Sequence, residues 1–114
     1  MNPLGLSTSS DRRADHRVKV NFRLHWVRGE SDEFEGEVSD LSVSGCFVES
    51  EEEVREGDLV KLRFDIPERG ELVIWGNVVF RVRRTGFGVR FSAFSQGGVR
   101  DKLAILLDEE SRRP

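Results

Sequence analysis

Val18-Lys19-Val20-Asn21-Phe22-Arg23-Leu24-His25-Trp26 alternates without a break, apolar at the even positions and polar at the odd ones. A period of two marks a β-strand with one buried face, because successive side chains leave a strand on opposite sides. Next, Arg28-Gly29-Glu30-Ser31-Asp32 carries turn chemistry. Phe34, Gly36 and Val38 then alternate with Glu35, Glu37 and Ser39, a second strand running into Asp40-Leu41-Ser42-Val43-Ser44-Gly45. Residues 46–49 make a short third strand, and the acidic stretch 51–57, ending in glycine, is a connection.

Further along, Val60, Leu62 and Phe64 mark a fourth strand that Pro67 ends, and Glu68-Arg69-Gly70-Glu71 supplies a turn. The run 72–82 is nearly continuous in apolar and β-branched residues; Leu72, Ile74, Gly76, Val78, Phe80 and Val82 are predicted to share one face. After Thr85-Gly86, Phe87, Val89 and Phe91 alternate with Gly88, Arg90 and Ser92. Gly76 and Gly88 are positions for strand bending or close backbone approach. Beyond Gly97-Gly98 the period changes: Val99, Leu103, Leu106 and Leu107 fall at helical spacing, opposite Arg100, Asp101 and Lys102. The fold class is therefore all-β with a C-terminal helix over about residues 97–109: a six-stranded antiparallel β-barrel whose closure hides its sheet edges. The helix either covers an open end of the barrel or turns its apolar face to a partner, a second copy in a homodimer included.

The 114 residues fit one domain, assigned to 11–110, between a small polar flexible tail over 1–10 and a tail over 111–114. With 37% hydrophobic and 34% charged residues the composition is that of a globular chain. No apolar run is long enough to cross a bilayer, and residues 1–6 lack the basic start and apolar stretch of a signal peptide, so membrane insertion is not expected and a cytoplasmic location is. Cys46 is the sole cysteine, which excludes an internal disulfide; beside Phe47 and Val48 it reads as a small buried apolar residue. Two histidines and one cysteine lack metal-ligand spacing, no GxxxxGK loop is present and no nucleophile is paired with a base, so an enzyme is not expected, nor a cofactor.

The net charge of −3 argues against general nucleic-acid binding, and its distribution is uneven. Arg12, Arg13, Arg17, Lys19, Arg23 and Arg28 stand against Asp15 alone, every formal charge from Glu30 to Glu53 is acidic, and a second basic run follows at Arg81, Arg83, Arg84 and Arg90. Such a surface draws a small anion and discourages long polyanions.

Two polar clusters carry the chemistry. Arg13 and Arg17 are four residues apart, with Arg12 beside them. In a turn their guanidiniums converge on one ligand; extended, they lie about 13 Å apart, still within a dinucleotide's span. The planar guanidinium fork pairs with phosphate or with the O6 and N7 acceptors of guanine. In the second cluster Asp40 and Ser42 face the same way on an extended backbone, opposite Leu41 and Val43. Asp40 accepts hydrogen bonds of the kind a guanine N1–H and N2 amine donate, Ser42 donates or accepts, and Gly45 permits a positive φ or a close backbone approach. Taken singly, the first cluster also reads as a solvated leader and the second as an ordinary turn.

In order, Arg13-x-x-x-Arg17 followed by Asp40-x-Ser42-x-x-Gly45 resembles the paired signature of PilZ domains, bacterial receptors for cyclic di-GMP. The 22 residues between Arg17 and Asp40 leave room for one hairpin, and Gly76-Asn77-Val78-Val79 and Gly86-Phe87-Gly88-Val89-Arg90-Phe91 resemble the family's later strand pair. The resemblance covers roughly residues 11–109 and implies a six-stranded barrel with a C-terminal helix. It further implies that Arg13 and Arg17 hold phosphate and the guanine acceptor edge, with Arg12 adding a contact. Asp40 and Ser42 would hold the donor edge and Gly45 would shape the loop. The function implied is a non-enzymatic receptor that relays cyclic di-GMP to an effector protein. The alternatives are an adaptor of the same fold that binds no nucleotide, and an oligonucleotide-binding barrel, against which the acidic block counts.

Overall fold

The computed structural model describes residues 16–30, 33–95 and 97–112. Six strands and a helix follow one another: β1 (Val18–Arg28), β2 (Glu33–Leu41), β3 (Gly45–Glu49), β4 (Leu59–Ile66), β5 (Gly70–Val82), β6 (Gly86–Phe94) and α1 (Val99–Ser111). The strands close into an antiparallel barrel in the order β1-β2-β3-β6-β5-β4. Closure leaves no unpaired edge, so the expectation of a closed six-stranded barrel with one C-terminal helix holds.

The alternation of β1 sets the interior. Val18, Phe22, Leu24 and Trp26 are buried, and Lys19, Asn21 and Arg23 are exposed. The Trp26 ring is fully buried, with ring centres 4.7 Å from Phe34 and 5.0 Å from Phe87, so it serves the core. Val38 and Leu41 of β2 are both buried although three residues apart, which strict alternation forbids. The register against β3 shifts between Val38 and Asp40, leaving Ser39 as an extra residue. A bulge of this kind reverses the phase of a strand; Leu41 therefore points inward and Asp40 outward.

The same device corrects the reading of β5. Leu72, Ile74, Gly76 and Val78 are buried as expected, but Phe80 and Val82 are each 45% exposed. Pairing with β6 shifts between Val78 and Phe80, so Val79 is the inserted residue and the strand beyond it turns its apolar side chains outward. Phe80 then lies across Gly88, where a Cβ would fall 2.3 Å from the ring.

The 50–58 connection buries Val54, and the guanidiniums of Arg28 and Arg81 donate to the carbonyls of Glu53 and Val54. Helix α1 packs against β1 and β5 through Val99, Leu103, Leu106 and Leu107. It begins at Val99 rather than residue 97, behind Gly98 in a left-handed conformation. An Arg69–Glu109 ion pair joins the β4–β5 turn to its last turn. No described helix is long and apolar enough to cross a membrane.

Candidate ligand-binding site

Where β1 begins, Val18 pairs with Leu41 and Lys19 with Asp40. This register seats Arg17, which is exposed, against the end of β2 and hence beside the 42–45 turn. Arg17 is close enough for its charge to reach the Cys46 thiol, the cross-strand partner of Leu41. Burial pushes that thiol up from its ordinary range and the guanidinium opposes the shift without overcoming it. Cys46 is thus a buried apolar residue, as expected, and not a reactive thiol.

The turn is built on Ser42. Its N–H donates to the Gly45 carbonyl at 2.9 Å, and its Oγ accepts the N–H groups of Ser44 and Gly45, each at 3.2 Å. The Ser44 carbonyl accepts the Phe91 N–H at 2.8 Å, which fastens the turn to β6. Such side-chain bonds to nearby backbone are what serine offers a turn. Gly45 is required by proximity and not by a positive φ: a Cβ there would fall 2.2 Å from the Val89 carbonyl oxygen.

Asp40 and Ser42 do not face the same way. The strand ends at Leu41 and the chain turns in, so Ser42 is fully buried while the Asp40 carboxylate keeps 28% of its side chain exposed. Asp40 stands 3.6 Å from Lys19 Nζ. Arg12 and Arg13 lie outside the described residues. Arg90, which the sequence places beside a core strand as an extension of the basic face, is the cross-strand partner of Gly45 and is exposed. Lys19 and Arg90 are thus two cations at the turn that motif spacing did not single out; the alternation of their strands, which puts both on the outer face, was the available signal. The described part of the site therefore presents one carboxylate among Arg17, Lys19 and Arg90. Among the described residues, no group of three or more histidine, cysteine or carboxylate side chains could hold a metal.

A family model described as PilZ domain matches residues 11–108. Three solved structures share the architecture. The PilZ domain of CeSA from a cellulose-synthesizing bacterium is 15% identical at a TM-score of 0.65, covering 85% of this chain and 99% of its own. The PilZ domain of YcgR from Escherichia coli, solved with c-di-GMP, is 15% identical at 0.68, covering 89% and 92%. The inhibitor of motility from Bacillus subtilis is 15% identical at 0.72; the match covers 85% of this chain and 51% of that one, so this chain spans about half its length. No curated protein matches the sequence.

Proposed function

The chain belongs to the PilZ domain family, and from that footing we propose that it is a non-enzymatic receptor for cyclic di-GMP that relays the signal to an effector protein. One observation supports the reading: the β1–β2 register sets Val18 against Leu41 and Lys19 against Asp40, so Arg17, the last residue of the arginine motif, lies at the strand end that leads into the Asp-Ser-Gly turn. Arg12, Arg13 and Arg17 take the phosphates and the O6 and N7 edge of a guanine. Asp40 takes the N1–H and N2 amine, exchanging its contact with Lys19 for two charge-assisted hydrogen bonds. Lys19 is then released to the nearby phosphate. Ser42 and Gly45 hold the turn in the shape that presents Asp40.

Relay follows from closing the gap between the halves. Ligand bridges the arginine segment to the barrel, and the joined surface is the one an effector reads. Calorimetry of the purified chain with cyclic di-GMP and with cyclic di-AMP tests the reading. The expected result is a dissociation constant below about 100 μM for the guanine ligand. The adenine ligand, which lacks the O6 acceptor and the N2 amine, should bind at least about tenfold more weakly. Equal affinities, or no binding of either, would overturn it.

A further inference from the structure

We propose that the outer face of β5 around Val79, Phe80 and Val82 is a docking surface for an acidic protein segment with an apolar centre. The large hydrophobics prominently exposed among the described residues are Leu59, Val79, Phe80, Val82 and Ile105. Val79, Phe80 and Val82 lie within four residues of one strand at 44%, 45% and 45% exposure, and Leu59, at 51%, begins the neighbouring strand opposite Asn77. Single exposed apolar side chains need no explanation, whereas a contiguous group marks a contact surface. Its cause is structural, since the Val79 bulge is what turns this end of β5 outward.

Cations gather at the Val82 end of the group, while the Asp58 carboxylate beside Leu59 is already engaged, accepting the Arg55 N–H at 2.8 Å. Arg83 and Arg84 form the β5–β6 turn beside Val82, and Arg90 faces out on β6 opposite Asn77. Among the described residues, none of these three is ion-paired with a carboxylate, although Lys19, Arg63, Arg69 and Arg112 all are. Unpaired guanidiniums rimming an apolar strip fit carboxylates rimming apolar side chains. The closed barrel offers no strand edge, so the partner docks by side chains and not by adding a strand. A nucleic acid fits less well. A phosphate chain gains nothing from the exposed side chains of Val79, Phe80 and Val82, whereas a peptide with an apolar centre buries them.

The surface is continuous with the candidate site. One row runs Phe80, Gly88, Phe47, Asp40, and the Phe47 and Phe80 rings stack at 6.0 Å. Docking does not depend on nucleotide; only its control by nucleotide rests on the proposed function.

The test is an NMR titration of the isotopically labelled chain with three probes. The first is a synthetic peptide with glutamates flanking a Leu-Trp-Leu core, the second its lysine counterpart, and the third a short DNA duplex. The expected result is amide shifts concentrated at 79–90 with the glutamate peptide. Val82→Ser, and separately Arg83→Glu with Arg84→Glu, should each weaken binding at least about tenfold while leaving the spectrum folded. Shifts centred elsewhere, an equal response to the lysine peptide, stronger binding of DNA at the same residues, or no response would overturn the proposal. Val82→Ser should retain the wild-type affinity for cyclic di-GMP. If the wild-type chain fails to bind that nucleotide, the receptor reading falls while a positive peptide titration still stands.

Discussion

Lys19 Nζ stands 3.6 Å from Asp40 Oδ2, across the paired ends of β1 and β2. The lysine is 88% exposed and the carboxylate 28%, so the pair is worth at most about 1 kcal/mol. A contact that weak marks the carboxylate's position without locking it, and a ligand that offers better donors displaces the lysine at little cost.

Asp40→Ala separates binding from folding on that basis. Stability should change by no more than about 1 kcal/mol, since the pair that is lost has a solvent-exposed lysine and a separation of 3.6 Å. Affinity for cyclic di-GMP should fall at least about tenfold, since two charge-assisted hydrogen bonds are lost. Urea unfolding and calorimetry on the same preparation measure both.

Ser42→Ala behaves in the opposite way. The hydroxyl oxygen accepts the N–H groups of Ser44 and Gly45 at a fully buried position. Its removal leaves donors inside the turn unsatisfied, which costs about 1–3 kcal/mol. A lower urea midpoint at an unchanged slope is the expected outcome.

Gly45→Ala forces a Cβ to 2.2 Å from the Val89 carbonyl oxygen, a backbone atom that moves only with its strand. Overpacking of this kind costs about 1–3 kcal/mol. Gly97→Ala is the matched control, because nothing lies within 4 Å of a Cβ there. It should change stability by no more than about 0.5 kcal/mol.

Cys46 gives a pH signature. Burial raises the folded thiol above its unfolded value, with the Arg17 charge acting in the other direction as the lesser cause. The unfolded chain therefore loses this proton first as pH rises, and the folded chain keeps it. The stability it contributes is complete below about pH 8.5 and declines above that value. Cys46→Ala should flatten the decline, measured as the urea midpoint between neutral pH and about pH 10. Labelling of the thiol by a disulfide reagent should track global unfolding.

Much of this molecule is legible in the chain. The alternation from Val18 to Trp26, the turn residues and the late helical spacing suffice for a closed barrel with a helix. What alternation does not reveal is the inserted residue. Ser39 and Val79 each add one position to a strand, and each reverses which side chains face water. For β5 that turned Phe80 and Val82 outward, and for β2 it let Val38 and Leu41 both enter the core. Nothing in local composition marks those two residues as bulges; only the partner strands do. The site divides similarly. Arg17, Asp40, Ser42 and Gly45 stand out by spacing, whereas Lys19 and Arg90 join them only through cross-strand pairing. Ser42 was identifiable as a turn residue, but its inward orientation depends on the strand ending at Leu41.

The central claim is one split site with Arg17 on one side and Asp40 on the other, and a double-mutant cycle in cyclic di-GMP affinity tests it most directly. Calorimetry would compare the wild-type chain, Arg17→Ala, Asp40→Ala and the double variant. Each single substitution is expected to weaken binding at least about tenfold, about 1.4 kcal/mol, and the double variant to lose less than the sum, because one ligand must bridge both groups. Wild-type affinity retained in either single variant, or no wild-type binding below about 100 μM, would contradict the account.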